Sequence, residues 1–363
     1  MLRRRSVLTG LSVMGAAGLV PAQAFFTRYD AVVKKNPGKG EFATITDAIN
    51  AASGTKPYRI LVTAGIWRER VSVEKSFVEL IGEGRDKTAI VFNASAGDPG
   101  PDGKPIGTFG TPTIYVKAPD FSAKHLTIAN DFDYVGHLQK GSLKDEKPAP
   151  VGTQSVALAI QDNADRAYIE DVHLDGYHDT LYVNTGRSFF RGCRIEGCVD
   201  FIFGAGRAVF ENCEIVSRLR PPGDFNGYVA APNTNVHQPY GFLFLGCRLT
   251  KESTVAPHTV ALGRPWRRTT TFPDGHYGDP EAVGAAAYIH CWMGDHIVPE
   301  GWYPMGYNAK GGGRAELQPE EARFFEFGST GPGAGLASAR RRILSPEQAK
   351  AYEPKLVLDG WVP

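Results

Sequence analysis

The chain has 363 residues, of which 42% are hydrophobic and 22% charged, as in a folded globular protein rather than a disordered one. Its formal net charge of +1 gives no reason to expect a nucleic-acid partner, although an acidic polymer could still bind in a locally basic groove. The 42 glycines and 25 prolines suit a fold with many turns between short strands. No shift in composition divides the chain into two domains.

The first 24 residues have the pattern of an export signal. Arg3-Arg4-Arg5 precedes an apolar stretch from Val7 to Val20, and Ala22-Gln23-Ala24 has the form of a cleavage site. We expect residues 1–24 to be a signal peptide, by the Sec or the twin-arginine route, and residues 25–363 to be secreted or periplasmic. An uncleaved membrane anchor is the alternative, but the stretch is shorter than the ~20 residues needed to span a bilayer.

After this signal, the residues from Thr44 to Ser53 have helical spacing and predict a short helix that caps the first edge of a stack of strands. Short β-type runs follow, interrupted by three polar excursions at residues 134–153, 218–238 and 267–283. Loops of this length on a rigid scaffold usually shape a binding cleft. Ser345-Pro346-Glu347 predicts the start of a short helix in the C-terminal tail.

A repeat of about 20 residues runs through the middle of the chain. Val172, Cys193 and Cys213 occupy equivalent places in three similar segments, at steps of 21 and 20 residues. Such a period, with β-type runs and no helical run between them, predicts an all-β solenoid with one coil per repeat. Residues one period apart then lie side by side, about 4.8 Å apart.

Two aspartates fall on this period. Asp179 and Asp200 lie 21 residues apart at the edges of two apolar runs, so they should share one site. Adjacent carboxylates do not easily both ionise, which makes one an acid and the other a base or nucleophile. The alternative is that both cap turns at strand ends.

The same stacking places Cys193 beside Cys213, and we expect a disulfide there in an exported protein. The alternative is a pair of small buried hydrophobic residues in a core ladder. No CxxC pair suggests a metal site, so none is expected.

Six motifs in order resemble the pectin methylesterase family, most nearly its secreted bacterial members, from about Asp30 to the C-terminus. Two match the family pattern without change, Asp200-Phe201-Ile202-Phe203-Gly204 and Leu262-Gly263-Arg264-Pro265-Trp266. The other four are similar: Phe42-Ala43-Thr44-Ile45, Gly65-Ile66-Trp67-Arg68-Glu69, Gln154-Ser155-Val156-Ala157-Leu158 and His178-Asp179-Thr180-Leu181-Tyr182.

The resemblance implies a right-handed parallel β-helix that hydrolyses the methyl esters of homogalacturonan to pectate and methanol without a cofactor. It makes Asp200 the nucleophile or base, Asp179 the acid and Arg264 the cation beside Asp200. A nearby guanidinium independently favours an ionised Asp200, whose charge keeps Asp179 protonated. Arg264 could instead form an ordinary surface salt bridge.

During the reaction, attack on the ester carbonyl produces a negatively charged oxygen, the oxyanion. The resemblance makes Gln154 an amide donor to this oxyanion; the alternative is that its amide only stacks on another amide inside the coil. The family has a second glutamine where this chain has His178, which is the chief departure. An imidazole N–H can donate to an oxyanion, more strongly when protonated, and titrates near neutral pH. Alternatively, His178 turns away and pairs with a neighbouring coil.

Further residues are expected to bind the sugar units, either by stacking on pyranose rings or by polar contacts implied by the resemblance. Each of them could equally serve packing or loop structure. The stacking candidates include Trp292, and the complete set assigned to the substrate is Thr108, Tyr182, Phe201, Arg220, Asp224, Tyr228, Trp266, Thr269 and Met293.

Other functions remain open from the residues alone. A polygalacturonase or a pectate lyase would need acidic or basic patterns that are absent here. An esterase or thioesterase for another acyl group, and an inactive carbohydrate-binding relative, are the remaining alternatives. We expect a monomer that acts on a polysaccharide, with no nucleic-acid partner and no membrane contact after signal cleavage.

Overall fold

A computed structural model describes residues 29–142, 152–221 and 223–363. The predicted signal peptide lies outside the described residues, as does part of the first excursion. The chain winds through three parallel sheets of ten, eight and seven strands, and successive coils contribute neighbouring strands to each sheet. Within the described ranges, no helix has the length and apolar character required to cross a membrane.

The strands are short, and most coils place one strand in each sheet. The ten-strand sheet contains Ala31–Val33, Tyr58–Val62, Val78–Gly82, Ser122–Lys124, Ala167–Glu170, Arg187–Arg191, Arg207–Glu211, Phe242–Leu245, Ala285–Ile289 and Arg323–Phe327. The eight-strand sheet contains Gly65–Arg68, Thr88–Phe92, Thr127–Asn130, His173–Asp175, Arg194–Gly197, Glu214–Ser217, Arg248–Lys251 and Trp292–Met293. The seven-strand sheet contains Val71–Val73, Ile114–Val116, Leu158–Ile160, Leu181–Val183, Val199–Gly204, Gly227–Pro232 and Val260–Gly263.

The register confirms the predicted period. His173 pairs with Arg194, and Arg194 pairs with Glu214, which reproduces the steps seen in the sequence. Because equivalent residues lie side by side, one residue type can form a continuous ladder inside the coils. Phe190, Phe210 and Phe244 stack in this way, with ring centroids 4.8 and 4.7 Å apart. The interior is therefore a stack of matched apolar side chains.

Cysteines form a second ladder at the turn between the ten-strand and eight-strand sheets. The disulfide predicted between Cys193 and Cys213 is not formed in the structure, which has both residues as buried free thiols. Each thiol donates to a carbonyl of the preceding coil, as Cys213 does to Phe190 at 3.6 Å. The strand spacing of about 4.8 Å also exceeds the Cβ separation of about 3.8 Å usual in a disulfide. Cys247 and Cys291 extend the ladder, buried in the same way.

The expected helix at the first edge is α1, Ile45–Asn50. Thr44 caps it, since its hydroxyl accepts a hydrogen bond from the Asp47 amide at 3.1 Å. The Glu69 carboxylate accepts from the free amides of Ile45 and Thr46 at 2.9 and 2.8 Å. This first turn is therefore fixed to the coils at two points.

The C-terminal tail covers the outer face of the ten-strand sheet. It contains α3, Pro346–Ala349, a 3₁₀ turn at Lys350–Tyr352, and α4, Pro354–Val357. Val357 and Leu358 bury themselves against the outward-facing Phe189 and Val209 of that sheet. The predicted tail helix is thus confirmed, and it begins at the predicted serine cap.

All three excursions contain helices or strands that the sequence did not predict. The helix α2, Tyr134–Ser142, opens the first one, and a 3₁₀ turn at Thr108–Gly110 lies nearby. The second contains Gly227–Pro232, a full strand of the seven-strand sheet, so 218–238 is not one loop. The third includes an antiparallel hairpin of Thr269–Phe272 and Gly275–Gly278, and a further hairpin joins Met305–Asn308 to Arg314–Leu317.

Candidate active site

A groove of ≈ 540 Å³ lies on the outer side of the seven-strand sheet. Its lining includes all five residues expected to be catalytic, from four separate parts of the sequence. The lining residues are Thr108, Phe109, Gln154, His178, Asp179, Val199, Asp200, Phe203, Arg220, Tyr228, Ala231, Arg264, Trp266 and Met305.

Asp179 and Asp200 meet at the corner where the chain enters the seven-strand sheet. A bridge between His178 and Val199 sets the register, and the Asp179 amide donates to the Val199 carbonyl at 3.1 Å. Both aspartates have left-handed backbones, with φ of 64° and 48°. Such a conformation is uncommon outside glycine and is often retained at functional sites. Their side chains reach the groove although the two residues are only 8% and 6% exposed.

Arg264 binds Asp200 through two parallel hydrogen bonds. Its Nε donates to Oδ1 at 2.8 Å and its Nη2 donates to Oδ2 at 2.6 Å. Its guanidinium also lies 3.9 Å from the centre of the Tyr228 ring. Burial alone would lower the pKa of Arg264, but Asp200 outweighs this effect and raises it. The two hydrogen bonds from Arg264 therefore fix both oxygens of Asp200.

Asp179 lies beside this pair in different electrostatic surroundings. Burial, and then the negative charge of Asp200, raise the pKa of Asp179 well above its usual range, although Arg264 acts in the other direction. The site thus combines one arginine-bound carboxylate with one buried neighbour whose pKa is raised. This arrangement can supply a nucleophile or base together with an acid.

Gln154 and His178 complete this corner of the groove. Among the described residues, the Gln154 side-chain amide has no hydrogen-bond partner, so it is free to donate into the groove. His178 lies with Nδ1 2.9 Å from the Thr153 hydroxyl and Nε2 3.6 Å from Oδ1 of Asp179. Burial lowers the pKa of His178 to about 4, helped by Arg264 and Arg220 and opposed by Asp200. The expectation that this ring titrates near neutral pH is therefore wrong.

The groove contains four of the nine residues that the sequence assigned to substrate binding: Thr108, Arg220, Tyr228 and Trp266. Tyr182 instead lies beneath the groove, 2% exposed, between Phe109 and Phe203. It supports the aromatic floor and offers no free face to a sugar ring.

Phe201 and Met293 are core residues, which corrects their assignment to the substrate. Phe201 is 0% exposed, because the register shifts between Val199 and Ile202 and both Phe201 and Ile202 turn inward. Met293 is also 0% exposed, and its sulphur accepts a hydrogen bond from the buried Arg341 at 3.4 Å.

Three further candidates lie away from the groove. Asp224 is an exposed loop residue outside the groove lining. Trp292 belongs to the eight-strand sheet, where Arg248 lies 4.7 Å from its ring centre. Thr269 lines a separate polar cavity of ≈ 500 Å³ beside the hairpin. That cavity is next to the groove, since Arg268 lines it and packs over the Phe109 ring at 5.0 Å.

Sequence reasoning missed five lining residues: Phe109, Val199, Phe203, Ala231 and Met305. A signal existed for two of them. Phe203 and Ala231 occupy equivalent outward positions on neighbouring strands. Phe203 also belongs to the motif Asp200-Phe201-Ile202-Phe203-Gly204, which matches the family pattern without change. Met305 comes from a hairpin far from the motifs, so only the fold could place it here.

Among the described residues, a cluster of three side chains outside the groove could in principle supply metal ligands. The ligand atoms of His173, Asp175 and Glu196 lie within 4.8 Å of one another on the eight-strand sheet. However, Arg218 donates to Asp175 at 2.6 Å and Arg194 donates to Glu196. The two arginines already balance the carboxylates, so this group does not favour a cation.

Comparison with known proteins decides the family. A family model described as pectinesterase matches residues 30–359. The chain belongs to the pectinesterase family. It is 43% identical to pectinesterase A of Dickeya dadantii (strain 3937), over 100% of this chain and 99% of that protein. A pectinesterase is a carboxylic ester hydrolase that acts on the methyl esters of pectin, and this is the activity of the chain.

Solved structures agree in fold and sequence. A pectin methylesterase in complex with a hexasaccharide is 44% identical, with a TM-score of 0.88 over 93% of this chain and 99% of that one. Pectin methylesterase from Yersinia enterocolitica is 44% identical, with a TM-score of 0.84 over 89% and 100% of the two chains. The parallel β-helix of this pectinesterase therefore matches the architecture expected from its sequence.

Proposed function

We propose that this pectinesterase hydrolyses its methyl esters with Asp200 as nucleophile, Asp179 as acid and then base, and Arg264 as the cation that fixes Asp200. The observation that carries this proposal is the pairing of an arginine-bound carboxylate with a buried neighbour of raised pKa in one groove. Each carboxyl group then starts in the protonation state that its role requires.

In the first half of the reaction, an Asp200 oxygen attacks the ester carbonyl carbon and a tetrahedral oxyanion forms. The oxyanion collapses, the bond to the methoxy oxygen breaks, and Asp179 gives its proton to that oxygen. Methanol leaves, and an anhydride joins Asp200 to the sugar carboxyl group. Asp179 is now ionised, so the two carboxyl groups have exchanged their roles.

In the second half, Asp179 takes a proton from a water molecule as that water attacks the sugar carbonyl. The bond to Asp200 breaks and Asp200 leaves as a carboxylate, which Arg264 binds again. The product is a free galacturonate carboxylic acid group, which ionises in solution. Both aspartates have then returned to their starting states.

The oxyanion needs a hydrogen-bond donor that is fixed before the reaction. The unpaired amide of Gln154 supports this role, because it lines the groove beside both aspartates. A donor aimed at a developing charge stabilises the transition state more than the bound ester. We assign Gln154 as this donor, with His178 in the same corner.

The groove also supports binding of a polymer with both esterified and free units. Trp266 and Tyr228 provide flat faces for pyranose rings, while Phe109 and Met305 add apolar contacts. Arg220 lines the same groove and can pair with the carboxylate of a demethylated unit. Thr108 also lines the groove and offers a hydroxyl.

The N-terminal sequence pattern supports a proposal about export. We infer that residues 1–24 are removed and that the mature chain, beginning near Phe25, acts outside the cytoplasm as a monomer. N-terminal sequencing of enzyme from the medium or periplasm would show a start near Phe25. Intact residues 1–24 on the exported enzyme would contradict cleavage.

The mechanism is tested by methanol release from highly methylated pectin, with polymer length followed in parallel. Asp200→Asn should abolish release, and Asp179→Asn should lower it by about 10²–10⁴-fold. Both changes keep the side-chain shape, and circular dichroism and the melting temperature would confirm that the variants are folded. Wild type should release methanol without shortening the chain. Substantial activity in Asp200→Asn would refute the nucleophile assignment.

A further inference from the structure

The imidazole of His178 is held from three sides. Thr153 contacts Nδ1 at 2.9 Å, and Oδ1 of Asp179 lies 3.6 Å from Nε2. Tyr134 of α2 packs edge-on against the ring, with centroids 6.2 Å apart. Tyr134 is itself held by stacking on Tyr177, with ring centroids 5.1 Å apart. The ring therefore has one orientation, with Nε2 towards the proposed acid.

The state of this ring follows from its burial. Because burial lowers the pKa of His178 to about 4, the ring is neutral near neutral pH. A neutral imidazole has one N–H, so one nitrogen donates and the other accepts. The Thr153 hydroxyl can donate to an unprotonated Nδ1, which leaves the hydrogen on Nε2.

We propose that His178 holds its hydrogen on Nε2 and donates it to Asp179 whenever Asp179 is ionised, and that Thr153 is the positioning residue that orients the ring. This inference rests on the proposed role of Asp179 as acid and base. It assigns His178 to the proton-transfer group, in addition to its place beside the oxyanion.

The catalytic cycle explains why such a donor matters. Asp179 loses its proton to the methoxy oxygen, and its carboxylate then stands in a buried site; in the resting structure both carboxylate hydrogen bonds of Arg264 go to Asp200 and none goes to Asp179. A donor at Oδ1 stabilises that charge. The distance of 3.6 Å in the resting state is long for a hydrogen bond, and catalytic hydrogen bonds of this kind shorten when the charge develops. The ring keeps its own proton throughout, so the proton balance of both steps is unchanged.

The pH profile of kcat/KM gives the sign of the effect. Asp179 must be protonated in the free enzyme, so activity falls as pH rises through its pKa. A donor to the ionised form lowers that pKa, and removing the donor raises it. Other ionisable groups face this pair and stay in place in every variant: Asp200, Arg264, Arg220 and Tyr134.

His178→Ala should therefore move the alkaline limb of kcat/KM to higher pH by about one unit, the effect of one hydrogen bond to a charged group. Thr153→Val should move it in the same direction by less, and Thr153→Ser, which keeps the hydroxyl, should match wild type. A limb that moves to lower pH would mean that Asp179 donates to Nε2 instead. A limb that stays in place while kcat falls would leave His178 as an oxyanion donor or a packing residue. Either result overturns the proposal.

Nitrogen-15 NMR of histidine-labelled enzyme measures the tautomer directly. The chain has 9 histidines, and the His178 signals are those lost in His178→Ala. The expected result at pH 7 is a protonated Nε2 and an unprotonated Nδ1, and the reverse would overturn the proposal. This readout does not depend on the reaction. Full activity of Asp179→Asn would instead refute the proposed function, so the two failures are distinguishable.

Discussion

At the scale of single residues, the site depends on two aspartates in an unusual backbone conformation. With φ of 64° and 48°, Asp179 and Asp200 occupy the left-handed region that glycine adopts most easily. Both side chains project from the corner of a coil towards the groove rather than into the core. The strain is of order 1 kcal/mol per residue, and the stacked coils around it hold it in place.

Residue spacing predicted which of these side chains would meet, but not which way all of their neighbours would point. The 21-residue step was enough to place Asp179 beside Asp200, because the strands are in register. The sequence assigns Phe201 to the groove because its aromatic ring could stack on a sugar. The register shift after Val199 sends Phe201 inward and leaves Phe203 outward, and no property of the isolated sequence fixes that shift.

The role of Gln154 gives a prediction at this scale. Gln154→Leu keeps much of the side-chain volume and removes the amide donor, so kcat should fall by about 10²–10³-fold, the usual effect of one oxyanion donor. KM should change little, because the charge develops only in the transition state. Initial rates of methanol release over a range of ester concentrations measure both constants.

A matched control is Gln161→Leu, since Gln161 is a partly buried glutamine that directly follows the strand Leu158–Ile160 and lies outside the groove lining. This variant should keep the wild-type kcat. A Gln154→Leu enzyme whose loss appears mainly in KM would show that the amide binds the substrate rather than the oxyanion.

At the scale of elements, the last coil is closed by the C-terminal tail through a buried ion pair. Arg341 and Glu326 are 0% and 1% exposed, and Nε and Nη2 of the arginine donate to the two carboxylate oxygens at 2.8 and 3.0 Å. Arg341 also donates to the carbonyls of Val298 and Gly333. One side chain thus joins the tail, the last strand of the ten-strand sheet and the loops that follow the final coil.

Arg341→Ala should destabilise the fold by about 3–5 kcal/mol, because it leaves the Glu326 carboxylate buried without a partner. Urea unfolding at pH 7 measures the change in the free energy of unfolding. The neighbouring Arg340 provides the control, since its Nε lies 3.6 Å from Glu320 in a more exposed pair. Arg340→Ala should cost at most about 1 kcal/mol. Equal effects of the two substitutions would contradict the locking role of Arg341.

The elements themselves were partly readable from the sequence. Periodic β-type runs and the serine cap of the tail helix were recognised, because each has a local signal. The strand Gly227–Pro232 was missed, since its glycine and proline suggest a loop and only pairing with Val199–Gly204 makes it a strand. The helix α2 was missed for a similar reason: its polar sequence is stabilised by Tyr134, which stacks on Tyr177 at 5.1 Å.

At the scale of the whole molecule, stacked coils place functional groups and buried titratable groups in one continuous body. The groove collects residues separated by as many as 197 positions, from Thr108 to Met305, and several different coils and loops supply them. The same packing buries two histidines as neutral rings. His178 lies at the groove, whereas His296 lies near the final coil, 0% exposed, and neither of its ring nitrogens has a partner among the described residues.

His296 should make the stability of the protein sensitive to acid. Burial lowers its pKa to about 4, with Lys251 acting in the same direction and Asp295 against it. The unfolded chain binds a proton on this histidine below about pH 6.5, but the folded protein does not do so until about pH 4. The stability that the neutral ring contributes is therefore present above pH 6.5 and is lost as the pH falls towards 4, by about 3 kcal/mol in total.

Urea unfolding of wild type and of His296→Leu at pH 7 and pH 4.5 tests this acid sensitivity. The variant should lose less stability between the two pH values than wild type, because leucine binds no proton in either state. His237→Leu, which removes a histidine whose side chain is 80% exposed, should keep the wild-type difference. If His296→Leu and wild type lost the same free energy of unfolding on acidification, the acid sensitivity would belong to other groups.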